Sequence, residues 1–359
     1  MRMSLILSSA LLVACGGGDK DAPGGDSGGP TRDSSPTTSD STTTTPGASV
    51  AVIAENDDLP ASALLSIWGT SADDIWTVGA DDGEGPVLLH FDGSDWTRVP
   101  TGTTGDLWWV WGDGQGKLFL AGAGGRVVEH DIAGGTFTEH AAADPELTLF
   151  GLWGTSATDI WTVGGNVNGA RNGGIIHYDG TDWTEVAQPE GKAFRSAFKV
   201  WGTAPDDVWV VGTGALITHW DGTAFTEVDP APVYGTTTLT TISGSDDAVY
   251  AVGGFGNATV ARFDGSSWLD DSPPPQAIAP GFNGVHVRDD LVMGCGAYGA
   301  VWKRDPASGW AEYAPSATSH DLHGCWIDPD GHVWSVGGDL ISLTAGVIVT
   351  DAPVSPFSL

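Results

Sequence analysis

Nine histidines, three cysteines and 46 acidic residues are the groups through which this 359-residue chain could do chemistry. Four histidines, His90, His130, His177 and His219, follow apolar runs at matching points along the chain. Spread in that way they are too far apart to share one metal, and each is expected to hydrogen-bond locally, for instance with the Asp two residues later. His320 and His323 make a lone HxxH beside Asp321, without the spacing of a zinc site. Acidic turns recur at Asp73-Asp74, Asp206-Asp207, Asp246-Asp247 and Asp328-Pro329-Asp330-Gly331. Asp suits turns because its carboxylate caps backbone amides. The last of these begins like a calcium loop but has Asp339 where a bidentate Glu is needed, so calcium is the one cofactor left open and no metal site is assigned. Gly294-Cys295-Gly296-Ala297-Tyr298-Gly299 fits GxGxxG, yet strand-like Ala300-Val301-Trp302-Lys303 follows it instead of a phosphate-binding helix. GxSxG, HExxH and Walker sequences are absent, and no residue is assigned a catalytic role.

The elements that must position these groups come from a repeat. WGTSADDIWTVG from Trp68 recurs as WGTSATDIWTVG from Trp153 and WGTAPDDVWVVG from Trp201, with weaker copies opening at Trp111, Ile242, Val285 and Trp326. Openings near 68, 111, 153, 201, 242, 285 and 326 are 41 to 48 residues apart. In six of the seven units two large apolar residues stand eight apart, as in Trp68 and Trp76 or Ile242 and Tyr250. Each unit then continues into a second half such as HFDGSDWTRV from His90, where Asp-Gly is a preferred tight-turn dipeptide. Helical periodicity is absent. Four short strands per unit, seven times over, predict an all-β, seven-bladed β-propeller with four antiparallel strands per blade across residues 50–359. Leu340 to Leu343 and Val347 to Thr350 read as the third and fourth strands of the last unit, and Val50 to Glu55 as a closing or extra strand that protects an edge. Aromatics that recur in every unit belong in the core. Trp108, Trp109 and Trp220 fall outside the pattern and are better candidates for exposure, and the longer third unit around Asn166 to Gly174 is another place to look for function.

Ahead of the repeats, residues 1–14 carry Arg2 and an apolar run, as an export signal does. Residues 15–49 are a linker rich in Gly, Ser, Thr, Asp and Pro with almost nothing to bury, expected to be disordered and to reach roughly 30 Å. Leu12-Val13-Ala14-Cys15 resembles the lipobox of bacterial lipoproteins. That resemblance implies cleavage before Cys15 and lipidation of Cys15, with Gly16 favouring the outer membrane. The linker's Gly25-Asp26-Ser27-Gly28-Gly29-Pro30 resembles the nucleophile segment of trypsin-like proteases, but no folded segment precedes Ser27 to supply a His, an Asp or an oxyanion hole. Cys295 and Cys325 fall on neighbouring units, where they form either a disulfide or two small buried residues.

The units resemble the WG…DIW.VG…H.DG..W repeats of propellers in secreted and lipid-anchored bacterial proteins, myxobacterial ones above all, a family that implies the fold but no activity. Asp92-Gly93-Ser94-Asp95-Trp96 is D-G-x-x-W, unlike the D-x-G-x-x-W of Asp-box sialidases. A formal net charge of -32 repels phosphate backbones, which excludes nucleic acid as a partner, and limits membrane association to the lipid anchor. The reading is a lipid-anchored, exported propeller acting as a non-enzymatic binding or scaffold module for an envelope or secreted protein partner. The alternatives are a multivalent glycan-binding lectin and a carbohydrate-active enzyme with an acidic central pocket.

Overall fold

Runs such as Asp74–Asp81, DIWTVGAD, mix β-branched and aromatic residues with buried faces on both sides, which suits a strand inside a packed blade. A computed structural model describes residues 49–55, 58–166, 173–189, 196–228 and 237–355 of the chain. The segments read as an export signal and a linker, Cys15 between them, and most of the long third-unit loop lie outside these residues. The described strands form seven four-stranded antiparallel sheets, a seven-bladed propeller as the repeat predicts. The first strand of each blade packs on those of both neighbours around the axis: Leu64–Ser71, Leu107–Gly112, Thr148–Ser156, Ala197–Ala204, Leu239–Gly244, Phe282–Arg288 and Asp321–Ile327. These strands define blades 1 to 7.

Closure uses the upstream strand. Ala51–Glu55 pairs antiparallel with Thr344–Thr350, from Ala51 opposite Thr350 to Glu55 opposite Val347, and becomes the fourth strand of blade 7. The expectation that Leu340 to Leu343 is itself a strand is corrected. Those residues form the turn between second and third strands, where Asp339 Oδ1 accepts the amides of Ile341 at 2.9 Å and Ser342 at 3.1 Å. The Asp cap spends on a turn the backbone donors a strand would need.

Every first strand bulges at its second or third residue. In blade 1 the pairing steps from Leu64–Gly79 to Ser66–Val78 and leaves Leu65 out; Trp108, Phe150, Phe198, Thr240, Asn283 and His323 are skipped in the same way. A bulge re-aims a side chain. Here Leu65, Trp108 and Phe150 cluster with Phe198, Leu340 and Leu343, drawing blades 1 to 4 and 7 together at one end of the axis.

Four residues after the bulge comes the Gly of each WG pair, whose role is close approach. A Cβ on Gly112 would lie 2.3 Å from Trp68 Cη2, one on Gly202, Gly244 or Gly69 would lie 2.8 Å from the Cη2 of Trp153, Trp201 or Trp326, and one on Gly154 3.1 Å from that of Trp111. Each blade's Trp thus lies across the next blade's Gly. The fifth and sixth units depart from the register read in sequence: Ser243, rather than Ile242, is opposite Tyr250, and His286 is opposite Met293. Ser243 and His286 therefore take the Trp place. Where the preceding blade offers no indole, the receiving residue is no longer Gly but Val287 or Ile327. The Val287 amide donates to Ser243 Oγ at 3.1 Å and the Ile327 amide to His286 Nδ1 at 3.1 Å.

Candidate functional site

The layers on the first strands enclose a chamber of about 180 Å3 on the axis, walled by Trp68, Trp111, Trp153, Trp201 and Trp326, with Trp109, Thr241, Ser243, His286 and Cys325 among the other lining groups. Above it, towards the connections between blades, Trp108 and Phe150 meet edge to face at 5.1 Å and Phe150 and Phe198 at 5.3 Å. This aromatic plug leaves the open end at the turns between first and second strands. No Asp or Glu lines the chamber, so its geometry does not favour an acidic central pocket.

Lys199 is buried in the layer between plug and chamber. Its ammonium donates to Phe150 O at 2.7 Å and sits 4.3 Å over the Trp109 ring, without a carboxylate, and burial pulls it down to about 7. Burial likewise holds His286 and His323 at about 3, so both are neutral imidazoles at physiological pH, although each keeps some surface open to the channel. His323 Nδ1 donates to Leu65 O.

The repeated histidines are structural. His90 Nε2 meets Asp74 Oδ1 at 2.8 Å, His177 meets Asp159 at 2.6 Å and His219 meets Asp207 at 2.6 Å, each stacked on the strand-two Trp at 4.0, 4.3 and 4.1 Å respectively. Their partner is the turn Asp before the second strand, not the Asp two residues later. The hydrogen bond from His90 holds the Asp74 carboxyl below its usual value. His130 does not share this place: Phe119 pairs with Glu129, Lys117 bonds Glu129, and the Asp–His pair is exchanged for Lys–Glu. His130 instead bonds Thr136 O and stacks on Phe137. A one-residue slip relative to the basic position hid this in the sequence.

The HxxH does not converge, because His320 reaches Glu55 at 3.2 Å while His323 turns into the channel. Asp328 is buried and spends its carboxylate on the amides of Asp330 and His332 and on Trp334 Nε1, so this turn holds itself together with the oxygens a calcium ion would need. Among the described residues no group of three or more His, Cys, Asp or Glu could hold a metal. Cys295 and Cys325 are two buried thiols on neighbouring blades 6 and 7; Cys325 Sγ donates to Met293 O at 3.7 Å, and the nearby Cys295 thiol raises that of Cys325. Gly294 to Gly299 is a strand and a short turn, as read. Trp108 is buried in the plug, contrary to its expected exposure, because the bulge aims it inward. Trp109 lines the chamber, and Trp220 packs on Trp161 and Phe225.

Two surface features remain. A groove of about 170 Å3 at the junction of blades 4 and 5 is walled by Asp207, Asp246 and Asp247, with Trp209 buried and Phe263 half-buried beside them. Phe255, Ile278, Tyr298 and Ile341 are exposed, 55%, 80%, 71% and 51%, all on loops at the plugged face of blades 5 to 7. Ile278 and Tyr298 have φ of 51° and 58°, strained for side chains of this kind. Bonds from Ala258 to Ala279 O, Ala297 to Gly281 O and Tyr298 to Asp321 tie these loops together.

No family model and no curated protein matches the chain. Solved structures share its fold. A streptogramin B lyase structure superposes with a TM-score of 0.65 at 17% identity, over 83% of this chain and 96% of that one. YCF48 from Cyanidioschyzon merolae gives 0.59 at 14%, over 84% and 98%, and the WD40 propeller domain of Doa1 gives 0.59 at 8%, over 83% and 96%. At such identities the likeness shows a β-propeller and nothing finer.

Proposed function

We propose that the chain is an exported propeller, lipid-anchored through Cys15 at the outer membrane, that works as a non-enzymatic binding module for an envelope or secreted protein. The observation that carries the binding reading is the cluster of Phe255, Ile278, Tyr298 and Ile341 on one face of three consecutive blades. Large apolar side chains standing free on linked loops, two of them in strained backbone, are what a partner surface covers. Chain direction supports the anchoring half. Ala51 is opposite Thr350, at the end of blade 7 that carries the turns between first and second strands, so a tether running from Cys15 joins the disc on the face away from the apolar loops. The lipobox resemblance and the linker composition supply the rest.

The test uses the mature full-length chain and a variant carrying Phe255→Ser, Ile278→Asn, Tyr298→Asn and Ile341→Ser. Asn tolerates left-handed backbone, so the variant should melt no lower than the parent. The parent should retain one envelope protein in stoichiometric amount that the variant loses; equal retention by both refutes the face. Separately, Cys15→Ser should move the protein from the membrane pellet to the soluble fraction, and an unchanged pellet refutes the anchor.

A further inference from the structure

Five blades put a Trp over the next blade's Gly, and the two that do not are adjacent and face the same chamber. In that sector Ser243 and His286 replace the indole, and their neighbours Val287 and Ile327 refill the space beneath, so packing between blades is kept while the axis stays open. The departure places polar groups there. His286 Nδ1 accepts the Ile327 amide, which leaves the proton on Nε2 as a donor, and Ser243 Oγ accepts the Val287 amide, which leaves its hydroxyl hydrogen free. No partner for either donor is found among the described residues. The remaining wall is mainly tryptophan and aliphatic side chains such as Ile67, Leu152, Val200 and Val285. The volume, about 180 Å3, exceeds the roughly 150 Å3 apolar cavity that admits benzene in an engineered protein.

We propose that the central chamber binds a small planar aromatic molecule carrying one hydrogen-bond acceptor, its ring among the tryptophans of blades 1 to 4 and 7 and its acceptor on Ser243 and His286. The open end of the chamber, at the turns between first and second strands, is the way in, and the plug of Trp108, Phe150 and Phe198 closes the far side. A ring edge-on or stacked among indoles gains the aromatic contact energy that water cannot supply, and an acceptor at its edge satisfies donors that otherwise face a largely apolar wall. The site is on the face opposite the apolar loops, so occupancy of one does not depend on the other.

Benzamide is the probe: it is planar, uncharged and ends in a carbonyl. Toluene keeps the ring without the acceptor, and cyclohexanecarboxamide keeps the acceptor without the aromatic ring. Calorimetry and tryptophan fluorescence should show benzamide saturating one site at submillimolar concentration, at least tenfold tighter than either control. His286→Phe should weaken benzamide about tenfold while leaving toluene unchanged. Ser243→Trp with Val287→Gly restores the pairing used by the other blades and should fold with a native melt yet bind no probe, because the added indole fills the chamber. Absence of saturable benzamide binding to the parent chain, or equal binding by the filled variant, overturns the proposal; neither result bears on the loop-face partner.

Discussion

The Trp-on-Gly contact makes the WG pair a residue-scale device with a measurable coupling. Gly112→Val inserts atoms where a Cβ alone would be 2.3 Å from Trp68, and should cost about 3 kcal/mol; Trp68→Ser should cost about 3 to 5 kcal/mol through the lost indole. Together they recreate the Ser243–Val287 arrangement, so denaturant unfolding of the double variant should be at least about 1 kcal/mol better than the sum of the two. Strict additivity would contradict the interlock. Lys199 gives the second residue-scale prediction. Its folded pKa, about 7, is below its unfolded value, so between pH 7 and about 10.5 the unfolded chain binds more protons and stability should rise with pH. Lys199→Met should remove that slope and stabilise the fold at neutral pH by on the order of 4 kcal/mol. A parent whose stability is flat across this range would show that Lys199 is not desolvated.

At the scale of elements, the strand Ala51–Glu55 and the hairpin turns decide stability. A chain begun at Asp58 loses Ile53 and Ala54 from the core and leaves Thr344–Thr350 as an open edge. It should unfold with about 3 kcal/mol less stability or worse and self-associate on a sizing column, and a peptide of residues 50–57 should reverse both effects. In the hairpins, Asp92 is pushed down to about 2 by the Asp95 amide, Asp264 by the Ser267 amide and Asp221 by the Thr223 hydroxyl. Depressed carboxylates contribute stability that is present above the unfolded value near 4 and lost as pH falls through 2. The melting temperature should therefore hold down to about pH 4 and fall between pH 4 and 2. A fall that begins above pH 5 would point to other groups.

For the whole molecule, a formal charge of -32 acts on a closed ring with acidic turns at every blade. Its self-repulsion is screened as the Debye length drops from about 30 Å at 0.01 M salt to about 8 Å at 0.15 M. The melting temperature should rise over that range, and a fall would mean that the ion pairs of Asp82, Glu129 and Asp271 outweigh the net repulsion. Two faces of the disc differ in kind: one carries the open chamber and receives the chain, the other carries the plug and the apolar loops. That division gives the two proposed sites separate approaches.

What the sequence by itself determined is the ring. Seven repeats, three of them close copies of WGTSADDIWTVG and four weaker, spell out strand number and blade count, because a period of alternating apolar residues and turn residues is local chemistry that every unit repeats. Closure was half legible: Val50 to Glu55 was available to pair, but only the Asp339 turn shows that blade 7 lacks a fourth strand of its own. The site was legible only as broken pattern. Trp108 and Trp109 stood out in sequence without revealing that a bulge sends one into the plug and leaves the other on the chamber wall. Counting eight residues from Tyr250 picked Ile242, and cross-strand pairing moved the Trp place to Ser243. Bulges shift register by one residue, and one residue decides which side of a strand a group faces. For that reason the tertiary structure alone decided that Ser243, His286 and six tryptophans share a single chamber.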